Sequence, residues 1–147
     1  MFSTGLFMLK YSKNKENNIS NSKIIKILSH VPSEAEFRFY SAINQNTGES
    51  AASLEIFSEK LEKISLDSVK FHFQRGDFQK WIQHTLGDNV LAKEISQISD
   101  QLSGEDLREK LLKTIRARIA KLKRLHGEVA TSQIWESSIK RPKNIRL

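Results

Sequence analysis

The sequence predicts a mainly α protein, a small bundle of about four or five helices preceded by an irregular N-terminal segment. Three observations point there. Apolar residues recur at three- and four-residue spacings through most of residues 53–126. The dipeptide Gly-Asp punctuates that stretch twice, at Gly76-Asp77 and Gly87-Asp88. Only two prolines and six glycines occur in 147 residues, too few for the frequent turns of a many-stranded fold. A chain of this length, 38% hydrophobic and 28% charged, has material for one core and suits a globular domain better than a disordered one.

The elements follow in order. Residues 11–22 are rich in Asn, Ser and Lys and read as a linker or loop. Ile24, Ile25, Ile27, Leu28 and Val31 then cluster before Pro32, as a short helix or a strand. Phe37 and Phe39 alternate as in a strand, one of a pair near Phe37 to Ile43, and Asn44 to Gly48 has the composition of a turn.

Ser53 is placed to cap a helix with Leu54, Phe57, Leu61 and Ile64 on one face. Ser65 is the next cap candidate. Residues 66–75 fit either period, since Val69, Phe71 and Phe73 also alternate; the short distance between two helical neighbours favours a helix. Gly76 and Gly87 are read as left-handed helix stops, and Asp77 and Asp88 as caps of the helices that follow. Phe78, Trp81, Ile82 and Leu86 form one stripe, and Leu91, Ile95 and Ile98 another. Ser103 with Asp106 opens a long helix whose stripe is Leu107, Leu111, Ile115, Ile119, Leu122 and Leu125, with Gly127 as its end. The expected core includes Leu54, Phe57, Leu61, Phe73, Phe78, Trp81, Ile82, Leu86, Leu91, Ile95, Leu111, Ile115 and Ile119. The expected organisation is an irregular or partly ordered segment over 1–35, a helical domain over 36–127 and a basic tail over 128–147.

The stretch from Ser53 to Ala92 resembles an uncharacterised family of archaeal and bacterial proteins, a domain of unknown function. The positions that carry the likeness are Ser53, Leu54, Phe57, Phe71 and His72. They continue through Arg75, Gly76, Asp77, Phe78, Trp81 and Ile82 to Leu86, Gly87, Asp88, Leu91 and Ala92. Gly104 to Leu111 is similar to the same family, so the likeness runs from about Gly48 to about Arg118. The resemblance implies a helical module; it implies no catalytic residue and no activity.

Composition excludes some chemistry. The chain has no cysteine, so disulfides, thiolate metal sites and a cysteine nucleophile are all ruled out, which fits a cytoplasmic protein. The apolar patch Leu6 to Leu9 is cut off by Lys10 and makes a poor signal peptide, and no run has the roughly 20 apolar residues of a membrane span. The strings of phosphate loops, nucleophile elbows and helical zinc sites are absent; the histidines, His30, His72, His84 and His126, have no i, i+4 pairing. No metal and no cofactor is expected.

Two constellations remain. His72, Arg75, Asp77 and Trp81 form a polar and aromatic cluster that could hold a ligand, with Arg75 able to fork onto a carboxylate or phosphate. The plainer reading is structural: Arg75 pairs with an acid, Asp77 caps, Trp81 is core and His72 satisfies a backbone group. Arg75-Gly76-Asp77 also spells an integrin-recognition tripeptide, but a helix joint explains it better.

The second constellation is the basic helix. Twelve of the 24 Lys and Arg residues fall in residues 100–147, against six acids. Between 110 and 126 lie seven cations and no acid, with Lys113, Arg116, Lys121 and Arg124 the candidates to meet a phosphate backbone or an acidic partner. No aromatic residue is present there to stack on bases, so any nucleic-acid binding would be non-specific. The expected function is a non-catalytic module that binds another protein. Non-specific nucleic-acid binding through helix 110–126 and the tail 140–146 is the alternative, and an enzyme centred on His72, Arg75 and Asp77 is third. A homo-oligomer is open, because a long amphipathic helix serves a dimer seam as well as a bundle core.

Overall fold

A computed structural model describes residues 19–139. The N-terminal apolar patch, most of the 11–22 linker and the 140–146 tail lie outside them. The described chain is mainly α, with six helices and one two-stranded antiparallel sheet.

Helix α1 (Asn21–Leu28) is capped by Ser20, whose Oγ accepts the Lys23 N–H at 3.3 Å, and it buries Ile24 and Ile27 completely. Residues 19–35 are therefore less irregular than their composition suggests: Ser20 to Ser22 belong to a helix start. After a 3₁₀ turn (Ser33–Ala35) the chain enters β1 (Phe37–Ala42) and β2 (Gln45–Ala51). Phe37 faces Ala51 and Ala42 faces Gln45 across the ladder, with irregular register on either side of Tyr40.

The turn is shorter than the Asn-rich string implies. Only Ile43 and Asn44 form it, with Asn44 in the left-handed region at φ 61°, and residues 45–48 are already strand. The polar side chains there go to the irregular ladder instead: Thr47 Oγ1 donates to Phe39 O at 2.7 Å, and Asn46 Oδ1 accepts the Gly48 N–H at 2.8 Å.

Helices α2 (Leu54–Lys63) and α3 (Leu66–Arg75) are capped by Ser53 and Ser65 as expected, each hydroxyl accepting an N–H three residues on. Residues 66–75 are helical because the helix period buries Val69 and His72 together, which a strand would place on opposite faces. Gly76 ends α3 at φ 69° and also opens α4 (Asp77–Trp81), accepting the Lys80 N–H through its carbonyl. The next turn, Ile82–Leu86, widens to π geometry and stops at Gly87 (φ 79°). Helix α5 (Asn89–Ser96) starts from Asp88, whose Oδ1 accepts the Leu91 N–H.

Helix α6 runs from Gly104 to Ile139. Its stripe from Leu107 to Leu125 is buried throughout. Gly127 does not end it. One glycine inside a helix costs about 1 kcal/mol, too little to stop a long helix without an additional breaker. Two buried arginines fasten α6 to the rest. Arg108 Nη1 donates to the carbonyls of Leu61, Glu62 and Ile64 at 2.6–3.0 Å, satisfying the orphan acceptors at the end of α2. Arg118 forks onto both oxygens of Asp88 at 2.8 and 2.9 Å.

The core is aromatic where the hairpin meets the helices. Phe37, Phe39, Phe57, Phe78 and Trp81 pack with centroids 4.8–5.7 Å apart, Phe39 and Trp81 each stacked on Phe57. Every expected core residue is buried except Phe73, which is only half-buried at the edge of the cluster. Among the described residues no helix is long and apolar enough to cross a membrane.

Candidate functional site

The groove that contains the first constellation lies between β1, its turn and the end of α3. It encloses about 430 Å³ and is lined by Arg38, Tyr40, Ile43, Asn44, Phe71, His72, Arg75 and Asp77, together with Phe37 and Ala42. Its polar centre follows from the joint at Gly76. Because that single glycine both ends α3 and caps α4, Asp77 is already the first helical residue and makes no capping bond. Its carboxylate turns back onto α3. Asp77 Oδ2 accepts from His72 Nδ1 at 2.9 Å and from Arg75 Nε at 3.1 Å. The expectation that Asp77 caps α4 is corrected on this point, and that of an acid partner for Arg75 is met by the same residue.

His72 is buried and both of its nitrogens are engaged. The Tyr40 N–H donates to Nε2 at 2.8 Å, which leaves Nε2 unprotonated and puts the ring proton on Nδ1, facing Asp77. Burial holds its pKa below the ordinary 6.5; the hydrogen bond and charge of Asp77 oppose that shift without cancelling it, and Arg75 adds slightly to it. A histidine in this state joins strand to helix. To act as a general base it would have to give up the Tyr40 amide, leaving a buried N–H unsatisfied.

Arg75 is the opposite case. Its guanidinium lies 4.9 Å from the Phe71 ring centroid and is fixed at Nε by Asp77, yet the side chain is 54% exposed. Its two Nη groups make no hydrogen bond among the described residues. Arg38 is exposed on the same groove, without an ion-pair partner among the described residues.

Trp81 is not brought to the groove. Its indole is 8% exposed, stacked on Phe57, and its Nε1–H donates to Ala35 O at 2.8 Å. Sequence reasoning missed Arg38, Tyr40, Ile43, Asn44 and Phe71. Two signals pointed to part of that set: Phe71 and Arg75 stand at i and i+4 on one helix, and Arg38 alternates with the two strand phenylalanines.

The basic helix is largely neutralised within the chain. Arg118 is buried on Asp88. Arg116 pairs with Glu62 at 2.9 Å, Lys123 pairs with Glu55, and Arg124 lies 3.8 Å from Glu128. Lys110 and Lys113 are exposed beside Thr114 and Ala117, and Lys121 is half-buried; these three have no ion-pair partner among the described residues. Glu55 and Glu62 come from α2 and Asp88 from the second Gly-Asp joint, and a charge count along α6 alone does not register these three. Among the described residues no three His, Asp or Glu side chains are grouped closely enough to hold a metal ion.

Residues 74–135 match a family of unknown function (DUF5752). The match takes in Arg75, Asp77, both Gly-Asp joints and most of α6, and leaves the hairpin, α2, Phe71 and His72 outside. It starts later and ends later than the likeness read from the sequence. No curated protein and no solved structure matches the chain.

Proposed function

We propose that the chain is a non-catalytic protein-interaction module of the cytoplasm, and that it engages another protein through the groove between β1 and the end of α3. The observation that carries this reading is the contrast inside the groove. Its histidine is spent on holding strand to helix, while the surrounding Arg75, Arg38, Tyr40 and Ile43 remain accessible to a partner. Arginine and tyrosine are the residue types that dominate binding energy at protein interfaces, and Ile43, 72% exposed at the rim, supplies an apolar contact. The cytoplasm fits a chain without cysteine.

A photo-cross-linking side chain at Ile43, with one at Lys110 as control, tests this. The expected result is one adduct of defined mass from Ile43 that is lost in Arg75→Ala and absent from Lys110. Circular dichroism verifies that each variant is folded. Adducts from Lys110 alone would move the docking surface to α6 and defeat the groove reading.

A second reading rests on Lys110, Lys113 and Lys121, which keep their charges unpaired among the described residues. Non-specific nucleic-acid binding through these three would show a shallow salt dependence, with a log–log slope of about −3 or less for a duplex. A slope near that of six contacts would mean that the pairs to Glu55, Glu62 and Glu128 open on binding.

A further inference from the structure

We infer that the groove recognises a single carboxylate, an acidic side chain flanked by apolar residues in the partner polypeptide, with Arg75 as the fork that receives it. This inference rests on the groove being the docking surface.

The argument begins with the state of Arg75 before any ligand arrives. A free arginine loses side-chain freedom when it binds, which offsets much of the gain. Arg75 has already lost it: Phe71 supports the face of the guanidinium and Asp77 holds Nε. What is left is the pair of Nη groups, the edge that accepts a carboxylate through two parallel hydrogen bonds.

Charge decides between kinds of anion. Arg38 and Arg75 face one carboxylate, Asp77, and His72 is neutral because its Nε2 accepts the Tyr40 N–H. The groove therefore carries one positive charge in excess. A monoanionic carboxylate matches that excess, whereas a dianionic phosphate would be only half neutralised beside Asp77. The Tyr40 amide at the groove is already given to His72 and is not free to meet a phosphate oxygen.

Size and lining point to a side chain on a polypeptide. About 430 Å³ is at the small end of ligand sites, room for one or two residues and not for a cofactor. Tyr40, Phe71 and Ile43 surround the arginine fork with apolar surface, a match for the neighbours of an acidic residue and a poor match for a bare ion.

The test is a titration of the ¹⁵N-labelled full chain at low salt with three probes. These are the tripeptide Leu-Glu-Leu, acetylated and amidated so that its one charge is the Glu carboxylate, its Leu-Gln-Leu counterpart, and inorganic phosphate. The expected result is saturable shifts at the Tyr40 and Asn44 amides and at Arg75 Nε–H with the Glu peptide, at least about tenfold tighter than with the Gln peptide. Arg75→Ala should weaken the Glu peptide about tenfold or more, with Arg75→Lys recovering only part because it keeps the charge and loses the fork. Lys113→Ala should leave the titration unchanged.

Equal binding of the Glu and Gln peptides, or indifference to Arg75→Ala, overturns the inference. Phosphate binding to the same residues more tightly than the Glu peptide overturns it too, in favour of a phosphorylated ligand. An Ile43 adduct that persists while the two peptides bind equally would sink the carboxylate and leave the interaction module standing. Selective Glu-peptide binding with no Ile43 adduct would do the reverse.

Discussion

The two Gly-Asp joints are identical in sequence and differ in what their aspartates do. Gly76 and Gly87 share the left-handed conformation, at φ 69° and 79°, and both end a helix. Asp88 follows a π turn, stays non-helical and caps α5 with one oxygen while Arg118 takes both; it is 1% exposed. Asp77 follows a glycine that is itself the cap, so it enters the helix directly and is left to pair with His72 and Arg75 at the edge of a groove. The lesson is that a one-residue difference in where the cap falls turns the same dipeptide from an internal brace into part of a surface site. Four predictions test how deep that difference runs.

The largest effect belongs to the buried joint. Asp88→Ala strands the Arg118 guanidinium, 7% exposed, away from water and removes the α5 cap as well. Breaking one side of a buried pair costs about 3–5 kcal/mol, and losing a cap adds about 1. Urea unfolding should therefore show a loss of that order, most of it recovered in Asp88→Ala with Arg118→Met, where no charge is left unpaired. A double variant no more stable than the single one would show that the ion pair is not what Asp88 contributes. At the other joint, Asp77→Asn keeps an acceptor for His72 Nδ1 and affects an exposed arginine, so the loss should be about 1 kcal/mol or less.

The glycines should behave alike where the aspartates do not. An alanine at either position must adopt a left-handed backbone, at about 1–2 kcal/mol. At Gly87 its Cβ meets nothing closer than Lys26 Nζ at 3.7 Å; at Gly76 it lies 3.0 Å from Gln79 Nε2, the movable end of a long side chain. Gly76→Ala and Gly87→Ala should thus cost about the same by urea unfolding. A difference of several kcal/mol would mean that one joint bears strain beyond its φ angle.

Much of this was legible in the sequence, and the pattern of misses has a physical cause. Helix identity, the Ser53 and Ser65 caps, the left-handed glycines and the α6 stripe all follow from local spacing, which sequence records directly. Gly127, the Asp77 cap and the extent of the turn were misjudged locally, and the rest of what escaped depends on contacts between distant residues. Arg118 with Asp88 spans thirty positions, and Arg108 reaches carbonyls more than forty residues away. The groove is of that kind: Tyr40 donates to His72 across thirty-two positions, so Arg38 and Asn44 gain their place from a strand whose docking no local rule announces. The alternating phenylalanines located the strand, but not the helix it would lie against.

The Gly76-Asp77 joint carries a pH dependence of defined sign through His72. His72 beside Asp77 is held neutral by burial, so its folded pKa lies below the unfolded value of 6.5. Between those two values the unfolded chain binds the extra proton, and stability rises with pH. The contribution is complete above about pH 6.5 and is lost as pH falls through the folded pKa. Stability against pH should accordingly slope upward below neutrality in the parent chain and more gently in His72→Gln. An unchanged slope would show that burial of His72 is not the source of the pH dependence.

The smallest prediction concerns a glycine without a joint. Gly127 lies inside α6 with no described atom within 4 Å of the position its Cβ would take. Unlike Gly76 and Gly87 it has no positive φ to maintain. An alanine there should raise stability by about 0.5–1 kcal/mol, by removing freedom from the unfolded chain and raising helix propensity. Helix α6 continues from this point for roughly 20 Å, at 1.5 Å per residue, and carries Ile134 and Trp135 there, each more than two-thirds exposed. Gly127→Ala should stiffen that continuation, which amide exchange at Ile134 and Trp135 would register as slower opening. Faster exchange, or a loss of stability, would mean that Gly127 serves as a bend in solution and that α6 is two helices meeting at a third glycine joint, one that lacks an aspartate.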